Sequence, residues 1–212
     1  MFGDDDAVEF ASTLSGSHDE SLKFSCRHLG VRGLSAIMDA LPFSNVTSLH
    51  LSRMKVGDQC ATIIARALSK LVTLGLAGCG ITDVGVEALC AALPTSSVNI
   101  IHLGENPITD VGAAMLATIL NTSKLQYIDL WHAAITDVST FLRAIPFSRL
   151  HSLLITCEDD AFSKVTRALV HVRDRAKVLA LYGVYRGNKP NALVKGDGDF
   201  AIAWRVLMFL MG

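Results

Sequence analysis

The side chains able to do chemistry are few and far apart in the chain. His102 and Asp129 stand 27 residues apart, with Ser25 and Ser52 upstream at comparable intervals. Serine, histidine and aspartate are the parts of a nucleophilic triad, in which the imidazole takes the hydroxyl proton and the carboxylate orients the ring. Cys26, His28 and His50 offer thiolate and imidazole to a zinc ion, but a closed zinc site needs four convergent ligands. Gly75-Leu-Ala-Gly78-Cys-Gly80 shares only its glycines with a phosphate-cradling loop. It lacks the Lys-Ser/Thr that such a loop uses to hold a nucleoside triphosphate. Trp131 has Tyr127, Asp129 and His132 close by, and Glu105 one interval upstream. A large aromatic ringed by polar groups is the composition of a binding hot spot. Finally, Lys164, Arg167, Arg173, Arg175 and Lys177 form a basic run opposed in that interval only by Asp174. Such a run is usually a solvated face; an acidic partner or an RNA backbone is the alternative.

What positions these residues is a repeat. LVTLGLAGCGITDVGVEALCAAL (71–93) is followed by VNIIHLGENPITDVGAAMLATIL (98–120), and both contain Ile-Thr-Asp-Val-Gly. With Leu74 as reference, equivalent positions fall at Leu22, Leu49, Ile101, Ile128, Leu153 and Leu179. Two residues beyond each is a second apolar residue: Phe24, Leu51, Leu76, Leu103, Leu130, Ile155 and Leu181. This period-2 alternation predicts a short, half-buried strand in each unit. The period then changes. Gly33, Ile37 and Leu41, Gly85, Leu89 and Leu93, and Gly112, Leu116 and Leu120 are four apart, which places them on one helical stripe. Asp58, Asp83, Asp110 and Asp137 stand where each helix should begin and are expected to cap it, while Pro42, Pro94 and Pro146 end three of the helices. A strand–helix unit cannot bury its apolar face alone, so the units must stack.

The repeated LxxLxLxxxxITDxGxxxLxxxL resembles the leucine-rich repeat of the ribonuclease-inhibitor-like class over about residues 19–181. The resemblance implies an α/β solenoid, with parallel strands on the concave face and helices on the convex face. It also implies a role in protein recognition. The asparagine that such repeats place after the strand is kept only at Asn106; Arg27, Met54, Cys79, Ala133 and Glu158 replace it elsewhere, so no unbroken asparagine ladder is expected. From residue 150 onward CEDDAFSKVTRAL replaces the Ile-Thr-Asp-x-Gly signature, though Phe162, Val165, Leu169 and Val172 still suggest a helical stripe.

Composition sets further bounds. Half of the 212 residues are apolar and 18% are charged, enough for a packed core and too apolar for disorder. The net charge of −1 argues against nucleic-acid binding over the whole surface, leaving only the local basic patch for it. Five cysteines without a CxxC pair suit reduced thiols in an intracellular, cytoplasmic setting. The acidic start MFGDDDAVEF has no secretory character, and no apolar segment reaches the roughly 20 residues that span a bilayer.

Residues 1–18 are expected to form an N-terminal half-repeat cap, 19–184 the solenoid, and 185–212 a loop and apolar C-terminal cap. FAIAWRVLMFLMG fits a strand about as well as a helix, and docking to a partner is the alternative to capping. On this frame Lys23, His50, Gly75, His102, Asp129, Leu154 and Ala180 line one row of the open sheet face, and Ser25, Ser52, Ala77, Gly104, Trp131, Thr156 and Tyr182 the next. His102 and Asp129 become neighbours on a face with no pocket to exclude water, so catalysis is not expected. Neither a metal nor a cofactor is expected. The expected function is non-enzymatic protein recognition through Trp131, Tyr127, Asp129, His132, His102 and Glu105. The alternatives are a structural subunit of a large protein or ribonucleoprotein assembly, docked through the basic run and apolar C-terminus, and a GTPase regulator. The last follows from the similarity of Ran GTPase-activating proteins in repeat type.

Overall fold

A computed structural model describes residues 2–24, 29–54, 57–137, 139–144, 148–150, 152–157, 166–168 and 181–184. Strands β1 (Ser21–Lys23), β2 (Ser48–His50), β3 (Thr73–Gly75), β4 (Ile100–His102), β5 (Tyr127–Ile135) and β6 (Ser152–Cys157) pair in parallel in chain order. Their register aligns Leu22, Leu49, Leu74, Ile101, Ile128 and Leu153, the positions expected from the periodicity. Helices α1 (Asp4–Thr13), α2 (Val31–Ala40), α3 (Gly57–Ala65), α4 (Asp83–Ala92), α5 (Asp110–Ile119) and α6 (Ser139–Ala144) alternate with them. The core lies between the sheet and the helices. Leu74, Leu76, Leu89, Leu103, Leu116 and Leu130 are completely buried there. Among the described residues, no helix is long and apolar enough to cross a membrane.

The repeated Thr-Asp-x-Gly has a different meaning from the one the sequence suggests. The caps of α4 and α5 are Thr82 and Thr109, whose hydroxyls accept from the N–H of Val84 and Val111, both at 3.2 Å. Each aspartate instead serves the following unit. Asp83 accepts from Thr109 N–H at 2.9 Å, Thr109 Oγ1 at 2.6 Å and Gly112 N–H at 3.0 Å. Asp58 holds Thr82 and Gly85 in the same way, and Asp110 holds Thr136 and Asp137. Asp4 begins the relay by accepting from Gly30 N–H at 2.6 Å. A carboxylate in the first helical turn points forward across the stack, where the free N–H groups at the start of the next helix satisfy it.

The glycine follows from this relay. A Cβ at Gly85 would lie 2.5 Å from Asp58 Oδ1, and one at Gly112 would lie 2.4 Å from Asp83 Oδ1. Cys60 stands in the glycine position of α3, and there the preceding unit has Val31 in place of the aspartate. No carboxylate comes in at that junction, so a side chain fits.

Asn106 makes the buried turn of the fourth unit. Its Oδ1 accepts from Cys79 N–H at 2.9 Å and Ile81 N–H at 3.1 Å, and its Nδ2 donates to Leu76 O at 2.8 Å and Leu103 O at 2.9 Å. One unit earlier the Cys79 thiol donates to Leu51 O at 3.1 Å, a weaker version of the same inter-unit bond. As expected, α2 and α4 end just before Pro42 and Pro94, which open single 3-10 turns. At the first unit α1 packs beside α2, and Phe2, Phe10 and Phe24 cluster with centroids 5.7–6.3 Å apart, Phe10 meeting the other two rings edge to face.

The pattern changes after β6. Thr166–Ala168 (β7), expected inside a helix, is a strand antiparallel to β6, and Leu181–Val184 (β8) is antiparallel to β7 rather than a further parallel strand. The physical difference lies in what precedes it: CEDDAFSKV offers neither the threonine cap nor the glycine that lets a relay carboxylate in. Leu179, the side chains of the basic run, the segment 185–212, Cys26, His28 and Pro146 lie outside the described residues.

Candidate functional site

The sheet face turned away from the helices is built in rows. Residues of adjacent parallel strands sit side by side about 4.8 Å apart, so one position per unit lines each row. Lys23, His50, Gly75, His102 and Asp129 are paired in register. The ladder runs on past the strands: Arg53 N–H donates to Ala77 O, Gly78 N–H to Gly104 O, and Glu105 N–H to Trp131 O, at 2.6–2.9 Å. The row Ser52, Ala77, Gly104 and Trp131 therefore exists as expected. It does not continue to Thr156, because β5 and β6 shift register between Leu130 and Ile135. Trp131 and His132 sit in this bulge.

Beyond the second row the chain turns through the left-handed region in units two to five, at Arg53 (φ 63), Gly78 (φ 66), Glu105 (φ 57) and His132 (φ 56). Only glycine adopts this conformation freely. Three of the four units place a polar or charged side chain there regardless.

The third unit carries almost no side chains on this face, having Gly75, Ala77 and Gly78. Its neighbours close over the gap. His50 lies above Gly75, where an added Cβ would fall 2.5 Å from His50 Nδ1, and its ring is 6.4 Å from that of His102 two units away. Arg53 reaches over Gly78 to Glu105 at 3.4 Å. His102 also packs against Tyr127, with centroids 5.3 Å apart, and its Nδ1 is 3.4 Å from Asp129 Oδ2. Partial burial, then the nearby His102 and Lys23, hold the His50 imidazole below its usual pKa and favour its neutral form. His50 Nε2 shares a hydrogen bond of 3.1 Å with Ser48 Oγ.

Trp131 is 41% exposed. Its ring centroid is 4.0 Å from that of His132, and its backbone N–H donates to Asp129 Oδ1 at 2.9 Å. A Cβ at Gly104 would sit 2.9 Å from Trp131 O, so the glycine permits the close approach of the bulged strand.

The structure thus brings together Tyr127, Asp129, Trp131, His132, His102 and Glu105 on adjacent units of one face. The pair of His102 and Asp129 is present, but among the described residues no serine hydroxyl bonds to His102; the hydroxyl bonded to a histidine is that of Ser48, on His50, and Ser25 lies outside the described residues. Among the described residues no three metal-ligating side chains converge. Sequence reasoning missed Arg53 as a member of the face. Its signal was available, because Arg53, Gly78, Glu105 and His132 recur at the same 25- and 27-residue intervals as the strands.

A profile described as "Leucine Rich repeat" matches residues 67–90 and 96–117. Among solved structures, the actin-binding site 2 (ABS2) of leiomodin-1 is similar over 68% of this chain and 87% of that chain, at 17% identity and a TM-score of 0.55. An internalin of Listeria monocytogenes covers 74% of this chain and 51% of that chain, at 16% identity and a TM-score of 0.40. No curated protein sequence matches. Parallel strands alternating with helices, one unit per step, make this an α/β solenoid. The matched residues are leucine-rich repeats, and the fold built on them is that of a leucine-rich-repeat solenoid.

Proposed function

We propose that the chain is a non-enzymatic protein-interaction module that recognises a partner protein through its open, concave sheet face. The observation that carries this reading is the exposed indole of Trp131, lifted by a bulge beside His132 on an otherwise polar face. Exposed aromatics that can be desolvated are the side chains that dominate binding energies. The similar fold in leiomodin-1 is named for an actin-binding site, which supports the use of such a stack for holding a protein. Actin itself is no part of this proposal. The free thiols of Cys60, Cys79 and Cys90 support an intracellular setting, which we place in the cytoplasm. Helices of nine or ten residues in units one to four support the ribonuclease-inhibitor-like subclass. Residues 1–18 and 185–212 complete the proposal as caps.

The test is association of the full chain with its partners, recovered under native conditions and measured for Trp131→Ala and for Arg173→Glu with Arg175→Glu. Trp131→Ala should weaken association at least tenfold. If it does nothing and the double charge reversal abolishes association, the chain docks through its basic run as a subunit of an assembly.

A further inference from the structure

We propose, building on the reading of this face as a binding surface, that Glu105, Asp129 and Trp131 form a subsite for a cationic side chain, arginine or lysine, of an extended partner segment. The fourth and fifth units contribute two carboxylates, Glu105 and Asp129, to the described face, together with the rings of Tyr127 and Trp131. They contribute no lysine or arginine there. An acidic or nucleic-acid ligand would meet like charge at this point, and a purely apolar one would bury the carboxylates unpaired. A guanidinium or ammonium satisfies both features, since the carboxylates attract its charge and the indole face attracts it through the ring quadrupole.

The molecule already holds such a group at this place. Arg53 comes from two units away, is 79% exposed along its side chain, and among the described residues its guanidinium bonds only to Glu105 Oε1, at 3.4 Å. An exposed pair of this kind is weak and easily exchanged. Glu105 Oε2 lies over Gly78 beside the Arg53 stem, 3.6 Å and 3.3 Å from where a Cβ would stand, and among the described residues it accepts no hydrogen bond, so it is the oxygen left for a second donor. The Asp129 oxygens are occupied by Trp131 N–H and His102, so Asp129 supplies charge and Glu105 the open acceptor. The backbone N–H groups of this region are spent in the ladder, for example Leu103 to Asp129 O and Glu105 to Trp131 O. A partner must therefore be read by its side chains and not by strand addition.

The experiment is an NMR titration of the full chain with Nα-acetyl-arginine amide, following the Trp131 indole N–H signal, with Nα-acetyl-norleucine amide as the uncharged probe. Arginine amide should shift that signal saturably, at least fivefold more tightly than norleucine amide. Glu105→Gln, with the backbone amide spectrum as its fold control, should remove the preference. Arg53→Gln, which empties the site of its internal occupant, should tighten arginine binding about twofold, and weakening would overturn the stand-in argument. Equal binding of the two probes, or a preference that survives Glu105→Gln, sinks the cationic subsite and leaves Trp131 as an apolar anchor. If neither probe moves the indole and Trp131→Ala leaves partner association intact, the subsite and the binding face fall together.

Discussion

The helix-start edge and the open sheet face are built on the same 25- to 27-residue step and use it in opposite ways. Along the edge three successive units repeat one device: Asp58, Asp83 and Asp110 each reach into the next unit and tie down its threonine backbone and hydroxyl. Across the face no row repeats itself; one runs Lys23, His50, Gly75, His102, Asp129. Positions that hold neighbouring units together face the same requirement at every step, so they converge on one residue. A surface facing a partner meets different chemistry at every step, so its residues diverge. The edge should therefore govern stability and the face association, and each substitution below tests that separation.

The largest effect should come from the core that both regions share. Leu103→Ala is expected to cost about 2–5 kcal/mol, read as a lowered urea midpoint, because the leucine is fully buried beneath the face. Next is the edge. Gly112→Ala would drive a methyl group to 2.4 Å from Asp83 Oδ1 and should cost about 1–3 kcal/mol. Asp83→Ala, which leaves three donors of the next unit without their acceptor, should cost about as much. The sharper measurement is their combination. With the carboxylate gone the closest clash is relieved and only the Ile108 methyl, at 2.8 Å, has to give, so the double variant should be less destabilised than the sum. Strict additivity would show that glycine is there for another reason. Trp131→Ala should invert the pattern, moving the unfolding midpoint by less than about 0.5 kcal/mol while weakening association at least tenfold. Thiol chemistry offers a milder probe of the packing. Burial pushes the Cys60 and Cys90 thiols up to about 12 and Cys79 up to about 11. These three should resist a thiol reagent in the native state at neutral pH, and all five cysteines should react after denaturation without reductant.

The same division explains what the sequence disclosed. The strand register and buried stripe were legible because period-2 and period-4 spacing follow directly from backbone geometry. Rows on the face followed from that register, which placed His102 beside Asp129 and Trp131 beside Gly104. The role of the aspartates was misplaced, because a lone Asp at a helix start looks like a cap for its own helix. That Thr82 and Thr109 do the capping becomes visible only when the next unit is in place. The break between Trp131 and Thr156 was hidden for a similar reason. A bulge is a mismatch between two strands, and neither YIDLWHAAI nor SLLITC announces it alone. The strand at Thr166–Ala168 lies where the repeat signature has already lapsed, and there the periodic argument had nothing left to extrapolate.

The finest separation of edge from face is in pH. Burial alone would raise the Asp110 carboxyl, but the Thr136 hydroxyl at 2.6 Å and the N–H groups of Asp137 and Thr136 at 2.9 and 2.8 Å outweigh it and hold the group below its ordinary value of 3.8. A carboxyl depressed in the folded state binds fewer protons there than in the unfolded chain. Its contribution is therefore fully present above the ordinary carboxylate range and is lost as pH falls through the folded value. Thr136→Val removes the hydroxyl and should lower stability at neutral pH. The gap to the parent chain should narrow as acid protonates Asp110, as the pH falls below its ordinary value of 3.8. His50 also titrates, but its depressed value lies in the range below 6.5 and is common to both chains, so it cancels in the difference. For Trp131→Ala the stability difference should stay near zero across the same acid range. A Thr136→Val gap that is flat with pH would mean that Asp110 is held by packing, and that the relay carries no charge-dependent share of the stack's cohesion.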